Sequence, residues 1–242
     1  VADALFDHPR LAQIYDALDP DRSDLDLYAA LVVEFGARSV LDIGCGTGTF
    51  ACLLAGRGVH VVAVDPAVAS LDVARNKPDA HQVRWLLGDA TTLPALQVDL
   101  ATMTANVAQV FLTDTDWALT LTGIRQALRP GGRLAFESRD PQRQAWREWG
   151  RDQTYRRTVI PDAGPVETWN DVTEVAESLV SFRSTFVFAN DGAELRSEST
   201  LRFRSRAEIV DSVLAAGMTV DEVRDAPDRP GRELVVIARR PA

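Results

Sequence analysis

The stretch Val40-Leu41-Asp42-Ile43-Gly44-Cys45-Gly46-Thr47-Gly48 decides the fold. Ser39 to Ile43 is a short apolar run of strand character, and Thr49 to Arg57 returns to helical spacing. Between them, the glycines at 44, 46 and 48 let the backbone turn tightly and approach a ligand without Cβ clashes. A helix entered through such a loop points its first N–H groups at whatever the loop holds.

Outward from this unit the pattern repeats. His60 to Val64 reads as a second strand closed by Asp65-Pro66, Val68 to Arg75 as a helix and Val83 to Leu87 as a third strand. A fourth strand lies within Leu96 to Met103. Trp117 to Leu128 is a helix stopped at Pro130-Gly131-Gly132, and Arg133 to Glu137 is a fifth strand. Upstream, residues 1–36 carry two helical apolar faces separated at Pro20. Apolar strands alternating with helices imply a parallel sheet covered on both faces, and right-handed crossovers make it a doubly wound, Rossmann-like α/β fold. After Asp140 the rhythm changes. Ala145 to Gly150 could be a short helix. Gln153–Ile160, Val166–Glu177, Leu179–Asn190 and Glu194–Phe203 then alternate with period two, and Asn190-Asp191-Gly192 reads as a hairpin turn. These segments predict a small inserted antiparallel sheet. A helix at Arg206–Ala216 and strands at Thr219–Arg224 and Glu233–Ala238 complete the main sheet.

The 242 residues are 46% hydrophobic and 25% charged, which suits one compact domain with an appended element. The net charge of −9 would repel a phosphate backbone, so no nucleic-acid partner is expected. The arginines at 143, 147, 151, 156 and 157 are interrupted by Glu148 and Asp152 and read as a solvated face. No run reaches the ~20 apolar residues of a membrane span, and Val1 to Pro9 lacks a basic leader. Cys45 and Cys52 are too few for a disulfide scaffold, no metal-ligand spacing appears, and a cytoplasmic protein is expected. Lys77 is the only lysine, against 25 arginines, which hints at a GC-rich bacterial genome.

Three acids stand at three successive strand ends. Asp42 precedes the glycine loop, where a carboxylate would oppose a pyrophosphate and could face an ammonium instead. The dinucleotide fingerprint would also need glycine at 49, where Thr49 stands. Asp65 can accept from both hydroxyls of a ribose. Asp89 can accept from an adenine amine while the Ala90 N–H donates to a ring nitrogen. A ligand with both ribose and ammonium is S-adenosylmethionine (SAM). The plainer alternatives are that Asp42 caps the following helix and that Asp65 and Asp89 are turn residues.

Taken together, the segments VLDIGCGTG at 40–48, VVAVDPA at 61–67, GDATTLP at 88–94 and LRPGGRLAFES at 128–138 resemble the class I SAM-dependent methyltransferases that act on small molecules. The resemblance covers roughly residues 38–138, and the tail at 206–240 fits the family's last helix and two strands. It implies a seven-stranded sheet with an antiparallel last strand. It implies a SAM-binding core over 1–150 and 205–242, with 151–204 an inserted lid or dimerisation element. It places Gly44, Cys45, Gly46 and Gly48 against the methionine moiety, Asp65 and Pro66 at the ribose, Asp89 and Ala90 at the adenine, and Thr104 beside the sulfonium. Tyr15 resembles an N-terminal tyrosine that covers the cofactor, with core packing as its alternative.

Transfer from a sulfonium needs alignment and exclusion of water more than a dedicated base. Asn106 and Gln109, after the fourth strand, could orient a polar small-molecule acceptor or merely satisfy loop backbone. Glu137, Arg139 and Asp140 share that edge, His8 is a candidate base, and Trp146 and Trp149 could line a pocket or pack on the insert. The expected function is methyl transfer to a small molecule, releasing S-adenosylhomocysteine (SAH). The alternatives are a SAM-binding protein that does not methylate and an NAD(P)-dependent oxidoreductase. An exposed edge of the inserted sheet could pair in a homodimer.

Overall fold

The computed structural model describes residues 2–242. Two short helices, α1 (Ala4–Asp7) and α2 (Pro9–Leu18), precede α3 (Asp24–Glu34). The alternation read from the sequence follows: β1 (Ser39–Ile43), α4 (Thr49–Gly56), β2 (His60–Asp65), α5 (Val68–Arg75), β3 (Val83–Leu87), β4 (Val98–Met103), α6 (Asp114–Ala127) and β5 (Leu128–Arg139). Next come α7 (Arg151–Thr154) and the strands β6 (Arg156–Ile160), β7 (Gly164–Ala176), β8 (Leu179–Phe188) and β9 (Glu194–Arg202). The chain closes with α8 (Arg206–Ala215), β10 (Thr219–Asp225) and β11 (Glu233–Arg239). Helix starts follow their caps. Thr113 accepts the Asp116 N–H ahead of α6, and Ser205 and Glu208 form a reciprocal capping box ahead of α8.

Seven strands form one sheet in the order β10-β11-β5-β4-β1-β2-β3. All run parallel except β11, which is antiparallel to both its neighbours, β5 and β10. The order reverses between β1 and β4, and ligands bind outside the carboxyl ends at such a switch point. Alternate side chains feed two layers. Leu41, Ile43, Met103 and Phe136 pack on Trp117, Leu121, Ile124, Ile209 and Val213 of α6 and α8. Val40, Leu100, Ala135 and Ile237 face Tyr28, Leu31, Phe50 and Leu54 of α3 and α4. Among the described residues no helix is long and apolar enough to cross a membrane.

β5 starts five residues earlier than the sequence suggested. Gly131 donates to Arg240 and Arg240 donates back to Gly132, so the Pro130-Gly131-Gly132 turn joins the ladder as an irregularity opposite Val98–Leu100. Proline lacks an N–H, and a bulge is where a ladder tolerates that loss. The insert forms the order β6-β7-β8-β9, all antiparallel. Residues 151–154 make a helical turn, so the first strand of the insert starts at Arg156 rather than at Gln153, and the turn at Asn190–Gly192 widens to residues 189–193.

One face of the insert carries Ile160, Val166, Phe186 and Phe188, and it packs on Leu11 and Ile14 of α2. The N-terminal helices therefore join the two sheets. Leu5 N–H and Asp3 bond Ser197 and Ser199 of β9, while the Phe6 carbonyl accepts from Ser70 of α5.

Candidate functional site

The site is built on the carboxyl edge of β1, β2, β3 and β4. Gly44 follows β1 at φ +66°, and a Cβ there would lie 2.6 Å from Val107. Gly48 enters α4 at φ +74°, where a Cβ would strike Trp85 and lie 2.8 Å from Ala74. Gly46, at φ +51°, has open space where its Cβ would be. Thus Gly44 and Gly48 are required by packing, whereas Gly46 leaves bare backbone at the edge. The Cys45 thiol beside it is pushed well above its ordinary pKa by burial.

Asp42 is 1% exposed. One carboxylate oxygen accepts from Thr102 Oγ1 at 3.1 Å, and the other, Oδ2, is buried with no partner. The residue does not cap α4, whose N-cap is Gly48 with no side-chain hydrogen bond. Burial pushes its pKa to about 7, with the charge of Asp65 adding to the rise. Asp65 ends β2 and is buried. Oδ2 accepts the Gly46 N–H at 2.7 Å and Oδ1 the Ala67 N–H at 2.8 Å, bracketing Pro66. Burial raises its pKa as well. Each of these oxygens keeps a second lone pair. Asp89 is exposed in a turn, its Oδ1 taking the Thr91 N–H and hydroxyl, beside the buried Ala90.

Beyond β4, Thr104 is buried, and Ala105 and Asn106 both adopt left-handed φ, +54° and +62°. Such backbone costs about 1–3 kcal/mol per residue and persists only where its surroundings impose it. Here two carboxylates do so. The Asn106 N–H donates to Glu137 Oε1 at 2.9 Å, and its Nδ2 donates to Glu233 Oε1 at 3.1 Å. Because a carboxylate takes the amide nitrogen, Asn106 Oδ1 is the remaining group, buried and without a partner. The other oxygen of Glu137 accepts a short hydrogen bond from the fully buried Tyr28. Burial lifts Glu137 to about 7 against those two bonds. Arg229 pairs with Glu233 at 2.9 Å. Gln109 is fully buried and committed to the protein: its amide donates to the Arg202 carbonyl and its oxygen accepts from Arg139. It holds the loop against β9.

The remaining predicted residues fall around this edge. Tyr15 stacks on Phe6 with ring centroids 5.5 Å apart, and burial raises its pKa. His8 caps α2 through Nδ1. Trp149 packs edge-on against Phe182 of β8, under Arg139 of β5, and so joins the insert to the main sheet, while Trp146 packs against Phe203. Asp140 caps the turn at 141–143. Tyr28 and Glu233 were not found from the sequence. Tyr28 reads as one more apolar-face residue, and Glu233 as the solvated start of a strand. Only the reversed direction of β11 brings its first residue to the carboxyl edge of the other strands.

Residues 40–132 match the sequence model of a methyltransferase domain. Over these residues the chain is similar to methyltransferases. An uncharacterized methyltransferase of Mycobacterium tuberculosis is 41% identical over 135 residues, 52% of this chain and 53% of that protein. The cypemycin N-terminal methyltransferase of a Streptomyces species is 36% identical over 105 residues, 43% of each chain. The matched region thus spans about half the length of these relatives. Among solved structures, a SAM-dependent methyltransferase from Clostridium acetobutylicum superposes with a TM-score of 0.77 at 19% identity, over 97% of this chain and 99% of that one. A sugar N-methyltransferase from a Streptoalloteichus species gives 0.77 at 18%, over 94% and 93%. At these identities the likeness is one of fold. Both sheets of the chain lie within the superposed length.

Proposed function

We propose that the chain binds SAM at the edge of β1–β4 and transfers its methyl group to a small molecule carrying an N–H or O–H. The observation that carries this reading is the unpartnered Oδ2 of Asp42, buried below a glycine loop whose central residue opens onto free space. An orphaned buried acceptor costs about 1–3 kcal/mol, which a cationic donor from a ligand would offset. An ammonium meets that need and a pyrophosphate does not, which argues against an NAD(P)-dependent oxidoreductase.

When bound, SAM supplies an already activated methyl group on a cationic sulfur. The chain does the rest. Asp42 would take the ammonium, and the backbone of Gly44, Cys45, Gly46 and Gly48 the rest of the methionine part. Asp65, at Pro66, would accept from the ribose hydroxyls through its free lone pairs. Asp89 and Ala90 would take the adenine, Thr104 would border the sulfur, and Tyr15 would cover it. Asn106 Oδ1, fixed by Glu137 and Glu233, would accept a hydrogen bond from the acceptor and aim its lone pair. The similar sugar N-methyltransferase is named for a nitrogen acceptor, which favours an amine.

The test is calorimetric titration of the chain with SAM, SAH and NADH. Micromolar binding of SAM and SAH, lost in Asp65→Ala and without NADH binding, is the expected result. NADH binding without a SAM response would overturn the proposal. SAM binding with no SAH release across an acceptor panel would favour a SAM-binding protein that does not methylate.

A further inference from the structure

The last turn of α2 holds Asp16 next to Tyr15. A carboxylate at a helix C-terminus meets the negative end of the macrodipole, and this turn has no basic residue to offset it. Its reason for being there lies across the interface. Asp16 Oδ1 accepts from the hydroxyls of Thr47, at 2.6 Å, and Thr49, at 3.3 Å, which flank Gly48. Asp16 Oδ2 pairs with Lys77 Nζ at 2.6 Å. Lys77 in turn donates to Thr49 Oγ1 at 2.7 Å and Thr47 Oγ1 at 3.2 Å. Four side chains, from α2, the glycine loop, the start of α4 and the segment after α5, thus close a ring of hydrogen bonds over the loop.

The lysine matters. Every other permanent cation in the sequence is an arginine. An ammonium is a compact centre whose three donors point in three directions, and here three separate oxygens surround it. A planar guanidinium cannot reproduce that arrangement in the same space. The other fastenings of residues 3–18 run to α5, from Ser70 to the Phe6 carbonyl and from the Ala69 N–H to Asp7, and to the insert, through Ser197, Ser199, the Arg10–Asp191 ion pair and the apolar face of α2. The ring is therefore what ties this segment directly to the glycine loop.

We infer that Asp16, Thr47, Thr49 and Lys77 form a latch that holds the N-terminal segment closed over the glycine loop, and that cofactor enters and leaves when the latch parts. This rests on the proposed SAM site. Asp16 and Lys77 act as positioning residues: they touch the loop and carry Tyr15 into place. Lys77 is 19% and Asp16 36% exposed at the side chain, so the latch is weak enough to open in each turnover.

The experiment uses the full chain with SAH as probe, in wild type, Asp16→Asn, Lys77→Met, Lys77→Arg and the Asp16→Asn/Lys77→Met double variant. Stopped-flow release of SAH is expected to quicken about 2–5-fold in each single variant, the scale of a partly exposed ion pair. The double variant should be no faster than the faster single one, and Lys77→Arg should not restore the wild-type rate. Because the sequence has one lysine, an amine-acylating reagent with peptide mapping reads Lys77 alone, apart from the chain's α-amine. SAH should slow its modification. Wild-type release rates in Asp16→Asn and Lys77→Met, with acylation indifferent to SAH, would overturn the latch. Wild-type chain that does not bind SAH would sink the cofactor site and the exchange role with it. In that case amide exchange over residues 9–18 still judges the ring: unchanged in Lys77→Met, it removes the latch too.

Discussion

The two halves of the sheet's carboxyl edge treat their acids differently. On the β1-β2-β3 side, Asp42 keeps an oxygen without a partner, and Asp65 and Asp89 are held only by turn N–H groups and one hydroxyl. On the β4-β5-β11 side, Glu137 and Glu233 are enclosed by Tyr28, Asn106 and Arg229, with a single amide oxygen left over. The first half keeps acceptors open, and the second closes its acids around one loop. A half that binds should fail in affinity when altered, and a half that supports should fail in stability.

The largest expected effect tests the first half. Asp65→Ala should weaken SAH binding by roughly 100-fold or more, the loss of two hydrogen bonds to a charged group at about 1.5–3 kcal/mol each. Calorimetry checks it, and an unchanged Kd would erase the distinction. Next, Gly48→Ala should destabilise the fold by about 2–4 kcal/mol, combining left-handed strain with overpacking on Trp85 and Ala74. Urea unfolding reads this directly.

The third prediction concerns pH. Glu137 and Asp42, each at about 7, bind protons more tightly in the fold than in the unfolded chain. The unfolded state therefore holds fewer protons between about pH 4.5 and 7, and stability falls as pH rises through that window. Thermal unfolding without ligand should show Tm dropping from pH 5 to 7.5, and Glu137→Gln should flatten part of the slope. A Tm that climbs over this range would contradict the buried-acid account. The smallest effect is Tyr28→Phe, which should cost about 1–2 kcal/mol by leaving Glu137 one donor short. SAH affinity should change less than threefold; a larger loss would mean that the two halves are coupled.

The first half was legible in the sequence because each of its parts is local. Asp42 and the glycines occupy one strand and one turn, and Asp65 and Asp89 each close a strand whose period announces it. The bounds of β1, α5 and β3 coincide with the sequence reading for the same reason. The second half was not legible, since Tyr28, Asn106, Glu137 and Glu233 lie on four elements and meet 109 and 127 positions apart. Asn106 was singled out, but its carboxylate partners were not assigned to it. Gln109 shows the converse: its place on the edge was right, while its amide turned out to be occupied by Arg202 and Arg139. The latch escaped notice because Thr47 and Thr49 look like loop filler until α2 is folded back over them.

The reversed run of β11 has a consequence for how such a chain can change. Six strands deliver their last residues to the ligand edge, so their contribution is set by the loop that follows. β11 delivers its first residue, Glu233, together with the hairpin that precedes it, residues 226–232. That hairpin already supplies Arg229 to the carboxylate beneath Asn106. That turn can therefore be lengthened, recharged or exchanged without disturbing a single crossover helix.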